Sequence, residues 1–302
     1  MIWAFATLGI WTCSCLVSRR AAVHLGAVAA NRWRLAVAMV LLFILALIFG
    51  GPLTGPWMWW FVASGVVGLG FGDVAMFAAY RRIGTRLTAL LTHCLGVIGA
   101  GVLEWLWLGN GLEPVETLLC GVILAGVVIA CGREALAEAR GGRLSTGLVC
   151  GCISACGLAC GGVLTRKARL VAEISGVPAD GLSGGFLRTC GGFVLLLLVW
   201  PLLQRLVRLT VGGDDGPVFR PDWRRGWPWL LITGTLGPGL GVACYQYALL
   251  HGKAGVVHAI LAAVPVLVMP LTWRFEGDRP RAAAIVGALI AVGGAVGMAF
   301  AH

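Results

Sequence analysis

The sequence predicts an all-α integral membrane protein of ten transmembrane helices, arranged as two inverted five-helix repeats. Three observations predict it. Of 302 residues, 59% are hydrophobic and only 12% charged, with a mean hydropathy of +0.91; a soluble domain is about 45–50% apolar and about 25% charged. Apolar runs of about 20 residues, enough to cross the hydrocarbon core as helix, recur along the whole chain. The Gly, Pro and charge signals between and within those runs recur at matching places in the two halves.

Taken in order, the first run spans Ile2 to Val17. No basic residue precedes it, and Arg19 and Arg20 follow it. A secretory signal has the opposite charge order, so this run is read as the first helix of the mature chain. The next helices centre near Leu42, Gly68, Val97 and Ile123, and those of the second half near Ala155, Leu195, Thr235, Val264 and Ile290. Polar or turn-forming breaks separate them at Gly51-Gly-Pro, Arg81-Arg82, Glu113-Pro114, Gly213-Asp-Asp-Gly-Pro217 and Gly277-Asp-Arg-Pro280. The most polar early break is the linker 133–143, which divides a first repeat, residues 1–132, from a second, residues 144–302.

The halves carry similar signals. Arg34 opens the second helix and Arg188 the seventh. Gly68-Leu-Gly-Phe-Gly-Asp73 in the third helix matches Leu236-Gly-Pro-Gly-Leu-Gly241 in the eighth. Gly84 and Gly252 are 168 residues apart, Gly121 and Gly287 are 166 apart. A unit with an odd number of helices enters the membrane the opposite way when repeated, which gives the inverted plan of many secondary transporters.

The second half reads Ala262-Ala-Val-Pro265, Trp273-Arg-Phe-Glu-Gly-Asp278 and Gly287-Ala-Leu-Ile-Ala-Val-Gly-Gly294. A proline, an acid thirteen positions on and a glycine nine further, here Pro265, Asp278 and Gly287, resemble the EamA-type branch of the drug/metabolite transporter superfamily. The first half has Val97 and Asn110 at the corresponding places. The resemblance covers nearly the whole chain. It implies a transporter of amino acids or related metabolites in the cytoplasmic membrane, acting in export, with no cofactor and with room for a homodimer.

Eighteen of the basic residues fall on one set of loops and five on the other. The positive-inside rule then puts the odd-numbered loops in the cytoplasm and both termini outside. The resemblance implies termini inside; the charge distribution is the more direct signal and is followed here. Trp57, Trp59, Trp60, Trp105 and Trp107 at one set of helix ends, and Trp223, Trp227, Trp229 and Trp273 at the other, read as interfacial belts. In so apolar a chain the +10 net charge speaks for membrane orientation rather than nucleic acid.

Ionisable groups inside spans are costly, about 2.5–3.5 kcal/mol for Asp at a helix centre, and so point to function. Asp73 and His93 enter from the same side to similar depth and are expected to form a proton-sensitive pair. Glu104, near the far end of the fourth helix, is a further candidate for substrate or proton coupling, or else reaches the interface; His258, near the start of the ninth, is discounted as a near-interface group. Arg34 and Arg188 are expected to snorkel to headgroups. Gly70, Gly72, Gly237, Pro238 and Gly239 mark helix interruptions that offer backbone groups to a substrate, or else allow close packing. Tyr245 and Gln246 follow as candidate substrate contacts.

Cys152, Cys156 and Cys160 fall on one stripe of the sixth helix. Three thiols on one helix do not close a tetrahedral zinc site, and no metal site is expected. They read instead as a small apolar face, beside Gly and Ala, on which that helix packs. No P-loop, His-Glu-x-x-His or Gly-x-Ser-x-Gly string is present. The expectation is a non-enzymatic secondary transporter whose partners are a small molecule and the bilayer. The alternative is a non-transporting membrane protein, such as a lipid-handling enzyme or accessory subunit, with Arg34 and Arg188 as phosphate-binding groups.

Overall fold

The computed structural model describes residues 2–108, 113–138, 143–199, 201–202, 205, 221–251, 254–277 and 279–301. Asn110, Asp278 and the middle of the linker lie outside the described residues. Among the described residues the regular structure is all helix. The first half contains α1 (Ile2–Leu25), α2 (Ala27–Phe49), α3 (Met58–Gly65), π1 (Val66–Gly72), α4 (Asp73–Leu90), π2 (Leu91–Leu95), α5 (Gly96–Leu108) and α6 (Pro114–Glu138). The second contains α7 (Arg143–Ser175), α8 (Gly181–Leu198), α9 (Trp223–Gly234), π3 (Thr235–Gly241), α10 (Val242–His251), α11 (Ala254–Leu261), α12 (Val264–Glu276) and α13 (Ala282–Ala301). Each of the ten expected centres falls inside one of these segments. Helix satisfies every backbone group internally, which a lipid environment demands.

Two turns use a single glycine. Gly26 (φ 80°, ψ 159°) separates α1 from α2, and Gly84 (φ 71°, ψ 177°) interrupts α4. Positive φ is open to glycine and costly for L side chains. Both glycines reverse the chain, as the neighbouring helices show. Along the stretch from α9 to α10, α2 runs in the same direction: Trp33 meets Trp223 edge-on and Gly234 packs on Arg34 and Val37. α1 runs the opposite way, with Ser18 at Thr233, Trp11 at Gly237 and Trp3 on Tyr247. Likewise α7 passes the leg before Gly84 in antiparallel fashion, with Trp57 at Val177 and Gly72 at Gly157. It passes the leg after Gly84 in parallel, with Leu91 at Gly151 and Gly96 at Leu158.

α6 and α13 form a close antiparallel pair. A Cβ on Gly126 would lie 2.4 Å from the Ala291 nitrogen, and one on Gly287 2.3 Å from the Ala130 nitrogen. The backbones therefore touch, which only small residues permit. Gly287, a residue of the resemblance pattern, has this packing role. Pro265 stands in the first turn of α12, just after the break at Ala262–Ala263, where a missing N–H costs least.

The outer surface is apolar: Leu47, Phe49, Leu118 and Val128 are each more than 60% exposed. Trp59, Trp105, Trp107, Trp223, Trp227 and Trp273 are exposed as well. Trp57 departs from the expected belt. It is fully buried and donates to the Val177 carbonyl at 3.1 Å, tying α3 to the end of α7. The cysteine stripe departs too. Cys152 and Cys156 are exposed and Cys160 is half-buried, so the stripe looks outward. Helix α7 packs through Gly151, Ala155, Gly157, Ala159 and Gly161 instead. Glycine and alanine let neighbouring backbones approach more closely than a thiol does, and they took the interior face.

Candidate functional site

The site grows from two glycine-rich segments. π1 and π3 are both seven residues long and start 169 residues apart, at Val66 and Thr235. At that offset Gly68, Gly70 and Gly72 correspond to Gly237, Gly239 and Gly241. The sequence led us to expect unwinding here; the chain stays helical and widens to a π register, a form concentrated at functional sites. Carbonyls are nonetheless put to use. Asn31 Nδ2 donates to the Leu69 carbonyl at 2.8 Å, and Trp11 Nε1 donates to that of Gly237 at 3.4 Å.

Lack of a side chain lets a guanidinium lie against each segment. A Cβ on Gly68 would lie 2.8 Å from Arg188 Nη2, and one on Gly237 would lie 3.1 Å from Arg34 Nη1. The two arginines thus cross between halves in opposite senses. Neither snorkels. Helices α2 and α8 start at Ala27 and Gly181, so each arginine lies seven residues, about 10 Å, inside its helix. Their exposures are 3% and 2%.

The arginines differ in their partners. Arg34 forms an ion pair with Asp73 and donates through Nε to Asn31 Oδ1 at 2.9 Å. Its guanidinium lies 4.6 Å from the Phe77 ring centre. The expected pairing of Asp73 with His93 is therefore replaced: a buried cation holds the carboxylate, because burying either charge alone is costly. His93 is buried across the same cavity, its ring centre 5.8 Å from that of Trp11. Arg188 has a weaker set: Nη1 donates to Thr165 Oγ1 at 3.4 Å and the guanidinium faces Tyr245 at 5.5 Å.

Behind Arg188, Tyr245 and His258 share a 2.7 Å hydrogen bond, and both are buried. His258 is thus no interfacial group. Gln246 is fully buried and accepts from Thr165 at 3.5 Å. Thr165 in turn lies 3.1 Å from Ser64 across α7 and α3; Ser18 and Thr233 make the corresponding hydroxyl pair across α1 and α9 at 2.6 Å.

These groups surround a cavity with about 630 Å³ of open space, its mouth included. Arg34, Asp73, His93, Arg188, Gly68, Gly237 and Pro238 line it, with Trp11, Ser14, Tyr80 and Ser154. Tyr245 and Gln246 back the wall rather than form it. Gly70, Gly72 and Gly239 support it through close packing on Leu195, Gly157 and Leu41. The side chain of Glu104 and all of Asp278 lie outside the described residues. Sequence reasoning missed Trp11, Ser14 and Tyr80. It also missed the inward direction of the arginines, although their equal places in two helices were a signal of it.

At the Arg19 end of the bundle a latch joins the halves. Arg19 Nη1 lies 2.6 Å from Glu276 Oε2, and Thr85 donates to Glu276 Oε1 at 2.7 Å. The Glu276 side chain is only 7% exposed. Hydrogen bonds to charged groups contribute about 1.5–3 kcal/mol. Glu276→Gln is expected to loosen this end and to speed reaction of the buried Cys15, in the cavity wall, with a water-soluble maleimide by about tenfold. An unchanged labelling rate would show that the latch does not restrict access.

The sequence profile of the EamA-like transporter family matches residues 1–131 and 145–300. Among curated proteins, none matches the chain. One solved crystal structure of a protein superposes with a TM-score of 0.64 at 17% identity, covering 99% of this chain and 96% of its own. That likeness establishes a shared fold.

Proposed function

The chain belongs to the EamA-like transporter family, and from that premise we propose that this multi-pass membrane protein is a secondary transporter. In this reading it moves a small organic metabolite, an amino acid or related compound, by alternating access between two inverted halves. The observation that carries the reading is the cavity itself. It sets the charged groups Arg34, Asp73 and Arg188 in a mostly apolar lining, and is walled by both halves at two matched π segments. Secondary transporters place substrate near the midplane where helices of the two repeats depart from regular α geometry, and the π register is such a departure.

In this reading Asp73 and His93 handle a coupling proton, the carboxylate exchanging Arg34 for a proton as the cavity opens. Tyr245 and Gln246 act through the Arg188 wall, and Glu104 belongs with the groups proposed for substrate or proton coupling. The latch at Glu276 closes one side. Export across the cytoplasmic membrane is the direction that the family resemblance implies. Moving Arg34 and Arg188 from loops to the interior removes one charge from each side, so the charge bias still favours both termini outside.

The test is flux in proteoliposomes under an imposed pH gradient, with a broad panel of amino acids and related metabolites. Saturable flux that depends on the gradient is expected. Its absence for the whole panel, with a copurifying lipid chemically altered by the protein, would favour a lipid-handling enzyme. A tag at His302 reached from the cytoplasmic side alone would overturn the assigned orientation.

A further inference from the structure

The two matched arginines are unequally served. Arg34 has an amide at Asn31 and a carboxylate at Asp73. The offset between the arginines is 154 and that between the π segments is 169, so the corresponding places beside Arg188 are Gly185 and Val242. These are the right neighbours: a Cβ on Gly185 would lie 3.8 Å from Val242 Cγ1. Where one half supplies an anion, the other supplies a methyl group. Among the described residues no carboxylate pairs with Arg188, and its Nε, like Gln246 Nε2 behind it, has no hydrogen-bond partner. Among the described residues Asp73 is the one carboxylate in the cavity wall, and Arg34 holds it.

A guanidinium that is 2% exposed in an apolar bundle is costly unless paired. Its planar fork matches carboxylate and phosphate oxygens. We infer that the cargo carries one anionic oxygen group, a carboxylate or a phosphate, and that Arg188 is its anchor in the cavity beside π1. The inference rests on the transporter reading and narrows its substrate class. The bound anion completes for Arg188 what Asp73 completes for Arg34. Arg188 then acts as a sensor of occupancy, since only loaded protein has both cations answered.

The experiment is equilibrium binding of radiolabelled benzoate and inorganic phosphate to the full chain in phosphatidylcholine nanodiscs, with benzamide as the uncharged control. At least one anion is expected to bind saturably below about 10 mM, and benzamide not to bind. Arg188→Gln should weaken that binding by at least about tenfold, and Arg188→Lys by less, because it keeps charge without the fork. Val242→Asp installs the missing carboxylate and should abolish anion binding with Arg188 intact; its thermal unfolding reports that it folds. Equal binding of benzoate and benzamide, or binding unchanged in Arg188→Gln and Val242→Asp, would overturn the anchor. Failure of both anions to bind would do the same. A signal that appears only with phosphatidylglycerol in the disc would assign Arg188 to a lipid headgroup and overturn the soluble cargo. Flux of an uncharged solute that survives Arg188→Gln would remove the anchor and leave the transporter. Saturable anion binding without flux of any solute would do the reverse.

Discussion

Asp73→Asn is expected to be the most damaging single change in the cavity. It leaves Arg34, 3% exposed, without its carboxylate. Breaking a buried ion pair from one side costs about 3–5 kcal/mol, because the remaining charge stays buried and unanswered. Thermal unfolding in detergent, followed by tryptophan fluorescence, should show the loss. The double variant Asp73→Asn with Arg34→Gln should recover most of it, since neither charge then remains. Both variants should lose flux driven by a pH gradient. Recovery of stability without recovery of coupling separates the two roles of the carboxylate. A single variant as stable as the parent would mean that the ion pair is not maintained in the folded protein.

Gly65→Ala is expected to be nearly as severe, for steric reasons. A Cβ there would lie 1.7 Å from the Arg188 carbonyl oxygen and 2.5 Å from its carbon. The obstruction is backbone, so no side chain swings away. Overpacking costs about 1–3 kcal/mol and more when backbone must move; about 3 kcal/mol is expected here. The displaced segment carries Arg188, so binding in the cavity should fall as well. Gly9→Ala is the control: nothing lies within 4 Å of its added Cβ. Alanine is favoured over glycine in a helix by about 0.5–1 kcal/mol, so that variant should be neutral or slightly stabilised. Equal stability of the two variants would show that α3 and α8 are not packed this closely.

Much of this architecture was legible in sequence because it rests on composition and period. Apolar length located the helical segments, and the glycine patterns located π1 and π3. Asp73 and His93 were legible as polar residues in apolar runs. What sequence missed was direction. Arg34 and Arg188 read as helix-opening residues because a helix boundary is blurred where apolar sequence extends past it. Seven residues, two turns, separate a headgroup contact from a cavity wall. Asp73 was paired with His93 from depth along consecutive helices, whereas its partner came from α2, a contact that chain order does not announce. The cysteine stripe was placed on the wrong side of α7, since Cys and Gly are both small and periodicity alone does not rank them. His258 and Trp57 were misjudged for the same reason as the arginines: nearness to a helix end was taken for exposure.

The turn at Gly26 has a mechanical consequence. The Gly26 amide still bonds the Ala22 carbonyl at 2.9 Å, and the Ala30 amide bonds the Gly26 carbonyl at 3.0 Å. Helical bonding therefore runs up to the corner from both sides, and there is no slack between α1 and α2. A tilt of α1 that pulls Arg19 from Glu276 acts through this corner as through a crank, and swings Arg34 with it. Were α1 to tilt so, the latch at Arg19 and the ion pair at Arg34 would move as the two ends of one lever.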